Sequence, residues 1–298
     1  MSGIVVFGEA LVDDFISEQV VGGAPFNVAR NLAAFGQSPL MVTRIGLDKA
    51  GALVQAEFDR FGMTRAGLQV DPLESTGRVV VERADGAHRF IILPNQAYDH
   101  IAAVPLAQAP SLIYFGTLAQ RGETSRAALH ALLESSDACR YLDLNVREGQ
   151  VSERCVYESL KEADIVKVNE DELQDLFGWY THTRHDTADM ECGTVRNACA
   201  VLMRIFSLEA LVVTLGPRGA VCFLRDGSMT ASYAAAPPKA LVDTVGAGDA
   251  FSAVFLLGRT LGWPLRTTLM RANAFAGAIC GIAGAVPGDL AFYRELTY

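Results

Sequence analysis

The stretch DTVGAGDAF, residues 243–251, sets two aspartates, Asp243 and Asp249, around Gly246, Ala247 and Gly248 and then runs into the apolar segment AFSAVFLLG. Three positions with little or no side chain expose backbone. Where such a loop opens a helix, its unpaired N–H groups lie at the positive end of the helix dipole and form a ready site for an anion such as a phosphate. A carboxylate beside bound negative charge is costly unless it has a proton to take, and Asp249 is placed to take one from a hydroxyl that attacks the phosphate. The same aspartate also has a plainer reading, as an acidic residue favoured by the dipole in a helix's first turn.

A second motif lies at 22–36, GGAPFNVARNLAAFG. Gly22 and Gly23 let backbone approach a ligand closely, and Asn27, near the start of the following helix, carries an amide that donates to and accepts from vicinal hydroxyls. A glycine turn followed by Pro25 in a helix's first turn needs no ligand, so this motif alone also reads as a helix start.

Both loops need a scaffold. The chain has 298 residues, half of them hydrophobic and a fifth charged, enough for one large α/β domain or two of ordinary size. GIVVFGEAL, MVTRIG, SLIYFG, RYLDLN, DIVKVN and ALVVTLG read as near-continuous apolar strands, the pattern of a parallel sheet covered on both faces. Between them APFNVARNLAAFG, GALVQAEFDRFG, TSRAALHALLESS, EDELQDLFG and NACAVLMRIFS read as helices. This alternation predicts a doubly wound α/β sheet with right-handed crossovers, in which ligands bind outside the carboxyl ends of the strands. Two segments break it: GRVVVERADGAHRFIILP around Asp85-Gly86 and GAVCFLRDGSMTASYAA around Asp226-Gly227, each a hairpin with an Asp-Gly turn. The first has no helix partner and is expected to project from the sheet as a flap over its edge.

Composition narrows the function. A net charge of −9 without clustered Lys or Arg argues against a nucleic-acid surface, so any phosphate must be held locally. No apolar run reaches membrane-spanning length, since VLMRIFSLEALVVTLG is interrupted by Arg204 and Glu209. The N-terminus lacks the basic region of a signal peptide, and a cytoplasmic protein is expected. Cys139, Cys155, Cys192, Cys199, Cys222 and Cys280 follow no C-x-x-C spacing and read as reduced, mostly buried thiols. The spacing of His182, His185 and Cys192 fits no ordinary zinc pattern and reads as a polar surface loop. No Walker-type lysine loop occurs, which excludes a P-loop enzyme.

Taken together, GGAPFNVARNLAAFG early and DTVGAGDAF late resemble the two signatures of the ribokinase-like (PfkB) carbohydrate kinase family, and within it the fructokinases. The resemblance covers essentially the whole chain. GEALVD, TGRVVVERADGAHRF, YFGTLAQR, DLNVR, KVNEDEL and VVTLGPRGAV follow in the order that the family shows. It implies one ribokinase-like domain over residues 1–298, with a mostly parallel central sheet flanked by helices and a small β lid at about 75–95 together with 13–22.

The resemblance also implies roles. Asp249 becomes the catalytic base on a sugar hydroxyl, with the amides of Gly246, Ala247 and Gly248 as the anion hole for the moving phosphoryl group. Asp13, taken as the end of the first strand, holds the sugar with Gly22, Gly23 and Asn27, although a strand-end turn would also explain it. Asn169 and Glu172 in NEDE match a motif that tunes magnesium and phosphate binding, and equally form a helix cap with its capping-box partner. In DLNVR, Asp143, Asn145 and Arg147 flank the phosphate path, Arg147 because a guanidinium fork suits phosphate oxygens. Thr214, Gly216, Gly219 and Asn273 fall around the nucleotide, and Asp243, Val245, Ile279 and Gly284 around a potassium site beside the anion loop. The implied cofactors are ATP and Mg2+, with K+ at that flank. The implied partners are a small sugar and ATP, without nucleic acid or membrane, and a homodimer is compatible with them.

Two departures bear on the sugar. Only DFISEQVV separates Asp13 from Gly22, where relatives commonly carry a longer segment of the lid, so a reduced lid made mainly of the 77–93 hairpin is expected. Many fructokinases and keto-deoxy-sugar kinases carry a tyrosine-arginine pair after that hairpin, whereas this chain reads FIILPNQAYD. Without that arginine a sugar acid's carboxylate lacks a partner, which points to a neutral sugar, fructose before others. A kinase for another sugar or a nucleoside (ribose, a keto-deoxy sugar acid, an adenosine-like acceptor) and a catalytically silent sugar- or nucleotide-binding regulator are the alternatives.

Overall fold

The computed structural model describes residues 3–14, 19–84, 87–182, 184–233 and 241–294, with residues 81–84 and 87–90 as backbone only. The strands are β1 (Gly3–Phe7), β2 (Leu11–Asp14), β3 (Gln19–Gly22), β4 (Leu40–Gly46), β5 (Leu68–Asp71), β6 (Gly77–Ala84), β7 (Ala87–Ile92), β8 (Pro110–Phe115), β9 (Cys139–Asp143), β10 (Ile165–Asn169), β11 (Ala210–Thr214), β12 (Ala220–Leu224) and β13 (Met229–Ser232). The helices are α1 (Ala24–Ala34), α2 (Lys49–Arg60), α3 (Glu123–Glu134), α4 (Glu153–Glu162), α5 (Glu170–Tyr180), α6 (Gly193–Phe206), α7 (Ala247–Thr260), α8 (Leu265–Ile279) and α9 (Ala291–Arg294).

Nine strands form one sheet in the order β13-β12-β11-β10-β9-β8-β1-β4-β5. From β5 to β11 every pairing is parallel, and β12 and β13 close that edge antiparallel. Alternation of side chains splits the strands between two cores, as the strand's period of two requires. Val5, Phe7, Ile113, Phe115, Leu142, Val166 and Val168 face one side, against Leu129 of α3, Val156 of α4, Leu173 of α5 and Leu202 of α6. Ile4, Val6, Leu112, Tyr114, Tyr141, Ile165 and Val212 face the other, against Phe26 of α1, Phe58 of α2, Phe255 of α7 and Phe275 of α8. This double burial is why the strands read as unbroken apolar runs.

The chain leaves β1 toward β4 on one side and returns to β8 on the other, so the strand order reverses at β1. Such a reversal opens a crevice at the carboxyl ends of the strands. Phe7, Phe115, Asp143 and Asn169 all stand at those ends.

The remaining four strands form a second sheet, β3-β2-β6-β7. This corrects two expectations. GIVVFGEAL is not one strand: β1 stops at Phe7, Gly8 turns the chain at φ +147°, and from Leu11 it pairs elsewhere. Asp13 therefore stands within β2, opposite Val20 of β3 and Val79 of β6, and does not end the first strand. The 77–94 hairpin is not attached to the edge of the large sheet, because β6 pairs in parallel with β2. Its Asp85-Gly86 turn lies outside the described residues. No described helix is long and apolar enough to cross a membrane. All six cysteines are free.

Candidate active site

Helix α7 begins where the opening motif places it. Gly246 caps it in the left-handed region at φ +79°, and a Cβ there would stand 2.4 Å from Ala285, so the loop excludes any other residue on two counts. The Ala250 N–H closes the first turn onto the Gly246 carbonyl at 2.8 Å. The Ala247 amide, expected in the anion hole, turns back to the Thr244 carbonyl at 3.3 Å. The N–H groups of Gly246, Gly248 and Asp249 have no acceptor among the described residues, so the amide of Asp249 itself takes the place expected of Ala247.

The Asp249 carboxylate accepts a hydrogen bond of 2.7 Å from Asn27 Nδ2, which joins α7 to α1. Asn27 is oriented from behind: Arg30 donates to its Oδ1 at 2.6 Å, to the Val21 carbonyl at 2.9 Å, and pairs with Glu57 at 2.6 Å. One N–H of the Asn27 amide stays uncommitted, so a ligand meets a donor there and no free carbonyl. Burial raises the Asp249 pKa to about 6, helped by the Asp143 charge, while the Asn27 bond, Lys167 and Arg147 pull the other way. A carboxyl poised there is ionised at neutral pH yet basic enough to share a hydroxyl proton.

Next to it, the Gly22-Gly23 turn is pressed against other parts of the site. A Cβ on Gly22 would stand 2.7 Å from the Asp13 carboxylate, and one on Gly23 would stand 2.6 Å from the Glu9 carbonyl. Burial lifts Asp13 to about 6 against the charges of Arg147 and Arg30. Glu9 is 4% exposed, its Oε2 has no hydrogen-bond partner, and burial lifts it to about 7 against the charges of Arg147 and Arg121. The Tyr98 hydroxyl is likewise buried without a partner, under the Arg121 guanidinium, which lies 5.0 Å from the ring and bonds Asp99 at 2.7 Å. Exposed Arg147 is the cation whose charge acts on Glu9, Asp13 and Asp249 together.

Along the ends of β10 and β11 the capping reading of NEDE is realised. Asn169 accepts from the Glu172 N–H at 2.8 Å, and Glu172 accepts from the Asn169 N–H at 2.8 Å. The other Glu172 oxygen takes the Val146 N–H at 2.8 Å, which ties the loop of Asn145 and Arg147 to α5. Asn145 there adopts φ +39°. Burial raises the Glu172 pKa despite these bonds. Thr214 ends β11, and Gly216 and Gly219 flank a 3₁₀ turn at φ +56° and +97°. Asn273 of α8 donates to the Ser232 carbonyl at 2.6 Å, and Ser232 is in register through Ala220 with Thr214, so these positions share one end of the sheet.

Asp243, Val245 and Gly284 are also brought together. The Asp243 carboxylate accepts from the Val245 N–H at 3.0 Å and the Gly284 N–H at 3.3 Å, and the Cys280 carbonyl accepts from Val242 and Asp243. Ile279 is buried, and its carbonyl takes the Ile282 N–H at 3.1 Å. No group of three His, Cys, Asp or Glu able to hold a metal occurs among the described residues. His185 packs edge-on against Phe177 at 5.0 Å.

Two residues at the site escape the motif reading. Glu9 hides in the apolar run GIVVFGEAL, and Lys167 in DIVKVN. Their signal is the same: a charged residue within a strand-like segment whose neighbours are all buried.

A doubly wound sheet, unpaired N–H groups at the start of α7 and the Asp249 carboxylate held by Asn27 together suit a phosphoryl transfer to a hydroxyl. The model of the pfkB family carbohydrate kinases matches residues 8–289, and the chain belongs to that family. Fructokinase-1 of Oryza sativa subsp. japonica is 28% identical over 95% of this chain and 93% of its own length. Aminoimidazole riboside kinase of Salmonella typhimurium is 28% identical over 100% of this chain and 94% of its own. The Vibrio cholerae O395 fructokinase, solved in its fructose, ADP and calcium ion bound form, superposes with a TM-score of 0.79 at 25% identity over 100% of this chain and 99% of that one.

Proposed function

We propose that this carbohydrate kinase transfers the γ-phosphoryl group of ATP to a hydroxymethyl group of a neutral sugar, fructose first among the candidates. The observation that carries the reading is Asp249, held by Asn27 at 2.7 Å beside the free amides of Gly246, Gly248 and Asp249. The acceptor hydroxyl gives its proton to Asp249 as its oxygen bonds to the γ-phosphorus. The bond from that phosphorus to the β-bridging oxygen breaks, and ADP leaves with the electron pair. The loop amides complement the charge that collects on the transferring group.

Magnesium supplies charge neutralisation on the nucleotide phosphates when bound with ATP. Because no group of three acidic, histidine or cysteine side chains able to hold a metal occurs among the described residues, and both Glu172 oxygens already accept backbone N–H groups, Glu172 and Asn169 would hold such an ion through its water shell. A potassium ion beside the loop would rest on Asp243 and on the carbonyls of Val245, Ile279 and Gly284.

A neutral acceptor suits the wall formed by Glu9, Asp13 and Asp249, which Arg147 alone does not neutralise. The riboside kinase relative, alignable over the whole chain, supports a second reading with a riboside acceptor. The second sheet, with its short β2–β3 hairpin, is the proposed lid over this wall. A coupled ADP-release assay over fructose, ribose, aminoimidazole riboside and a keto-deoxy sugar acid tests the reading. Fructose is expected to give the highest kcat/KM, the riboside replaces it if it does better, and preference for the acid overturns the charge argument.

A further inference from the structure

Beneath the anion loop lies an ion pair that neither motif explains. Lys167 occupies a core-facing position of β10, on the face where Tyr114 and Tyr141 pack under α7, and it is 6% exposed. Its Nζ donates to Asp143 at 2.9 Å and 3.2 Å. Asp143, fully buried, is clamped further by Ser252 Oγ at 2.8 Å and the Tyr114 hydroxyl at 3.3 Å, and Ser252 meets the Tyr141 hydroxyl at 3.2 Å. A Cβ built on Gly248 would stand 3.0 Å from Lys167 Nζ, so the ammonium packs directly against the loop.

An ammonium carries three donors. Both bonds of Lys167 go to one carboxylate, which leaves an N–H without an acceptor among the described residues, beside the unpaired amides of Gly248 and Asp249. A buried ion pair is a weak stabilising device, and an apolar side chain of similar volume serves a core as well. Ile165, two residues away on the same face of β10, shows what the strand otherwise uses there. Although burial alone pushes an ammonium toward neutrality, the Asp143 and Glu172 carboxylates hold Lys167 protonated, above its ordinary value.

We propose that Lys167 is a catalytic residue whose remaining N–H binds a non-bridging oxygen of the phosphoryl group in flight, with Asp143 and Ser252 as the residues that position it. Lys167 keeps its protons throughout; the acceptor's proton still goes to Asp249 and the leaving electron pair to ADP. This role rests on the phosphoryl-transfer reading of loop 246–249 and adds a buried cation to a site otherwise built from amides. Aligned before the chemistry starts, such a charge acts at full strength in a site that excludes water.

The test uses the full chain with ATP, Mg2+ and the neutral acceptor of the panel that turns over fastest. Lys167→Met is expected to lower kcat by about 10³, with the KM values for ATP and sugar changed less than about threefold. Calorimetry with ADP, and with ADP plus aluminium fluoride, separates contact with the phosphoryl group from structural support. ADP binding should persist while the affinity gained from aluminium fluoride is lost. Because Lys167→Met leaves Asp143 buried and unpaired, Lys167→Met with Asp143→Asn serves as the variant without a lone charge, and it should show the same loss of aluminium fluoride affinity. Aluminium fluoride affinity within about fivefold of the parent in either variant overturns the proposal. A parent protein that phosphorylates no acceptor overturns the reading beneath it instead.

Discussion

At the phosphoryl end of the cleft, Asp143 is bonded by Lys167, Ser252 and Tyr114, and Glu172 is bonded through both oxygens. At the acceptor end, Glu9 Oε2 and the Tyr98 hydroxyl are buried with no partner, and Glu9 and Asp13 are held at raised pKa values near 7 and 6. A buried polar atom without a partner forgoes about 1–3 kcal/mol. Ser136 Oγ and the Tyr180 hydroxyl are buried without partners too; Glu9 differs from them in lying within the field of Arg147 and Asp249. Every reaction at the phosphoryl end involves the same anion, so its complement is built in advance. The open groups differ in kind: N–H donors of Gly246, Gly248 and Asp249 at the phosphoryl end, and oxygens of Glu9 and Tyr98 at the other.

The comparison is broken most sharply at Asp249. Asp249→Asn removes the base while leaving the loop amides in place, and is expected to lower kcat by at least about 10² with ADP affinity unchanged, checked by turnover and calorimetry. In the parent, kcat/KM should fall as pH drops through about 6, where Asp249 takes up a proton. Near-normal turnover in the variant would remove the base assignment.

At the other end, Glu9→Gln should raise the KM for the sugar about tenfold and change kcat less than threefold, because it alters the acceptor wall alone. Its stability signature has a definite sign. The carboxyl is harder to ionise folded, near pH 7, than unfolded, near 4.5, so the folded state holds more protons between those values and the parent loses stability as pH rises through them. Glu9→Gln should therefore be more stable than the parent by about 3 kcal/mol above pH 7, with the gap closing toward pH 4.5. Thermal melts at pH 5 and pH 8 read it, and a gap that widens toward acid contradicts the assignment.

Asn169→Ala probes the built-in end most gently. Loss of the cap on α5 should cost about 1 kcal/mol, a fall of a few degrees in Tm, together with a raised KM for MgATP because the Asn169 amide, one of the two groups proposed to hold the ion's water shell, is gone, while the Glu172 carboxylate keeps both of its backbone N–H donors. An unchanged KM would leave Asn169 a cap and nothing more.

What the sequence made legible divides along physical lines. Glycines at Gly22, Gly23 and Gly246 could be read because each sits where a Cβ would collide, and the unbroken apolar strands because both faces are buried. The break after Phe7 could not: Gly8 lies inside an apolar run, and only pairing with β6, some 66 residues later, shows that Leu11–Asp14 belongs to another sheet. Helices α4 and α8 and strand β5 passed unnoticed, α4 because its stripe is short and its surface strongly charged, β5 because LQVD has four residues and no alternation of its own. Lys167 and Glu9 were masked by hydrophobic neighbours. The contact of Asn27 with Asp249 could not be read because it joins distant segments and leaves no trace in local spacing, whereas the cap of Asn169 with Glu172, three residues on, could.

Glu9 has one more consequence, through its place in the chain. Residues 8–10 are the whole link between β1 of the large sheet and β2 of the small one. In the proposed reading, a carboxyl that faces the acceptor thus also lies on the segment that joins the large sheet to the proposed lid. A tilt of the small sheet about this three-residue link would turn Glu9 with it. Gln at this position keeps the length and backbone of the link, so the Glu9→Gln exchange reads the acceptor contact and leaves the joint in place.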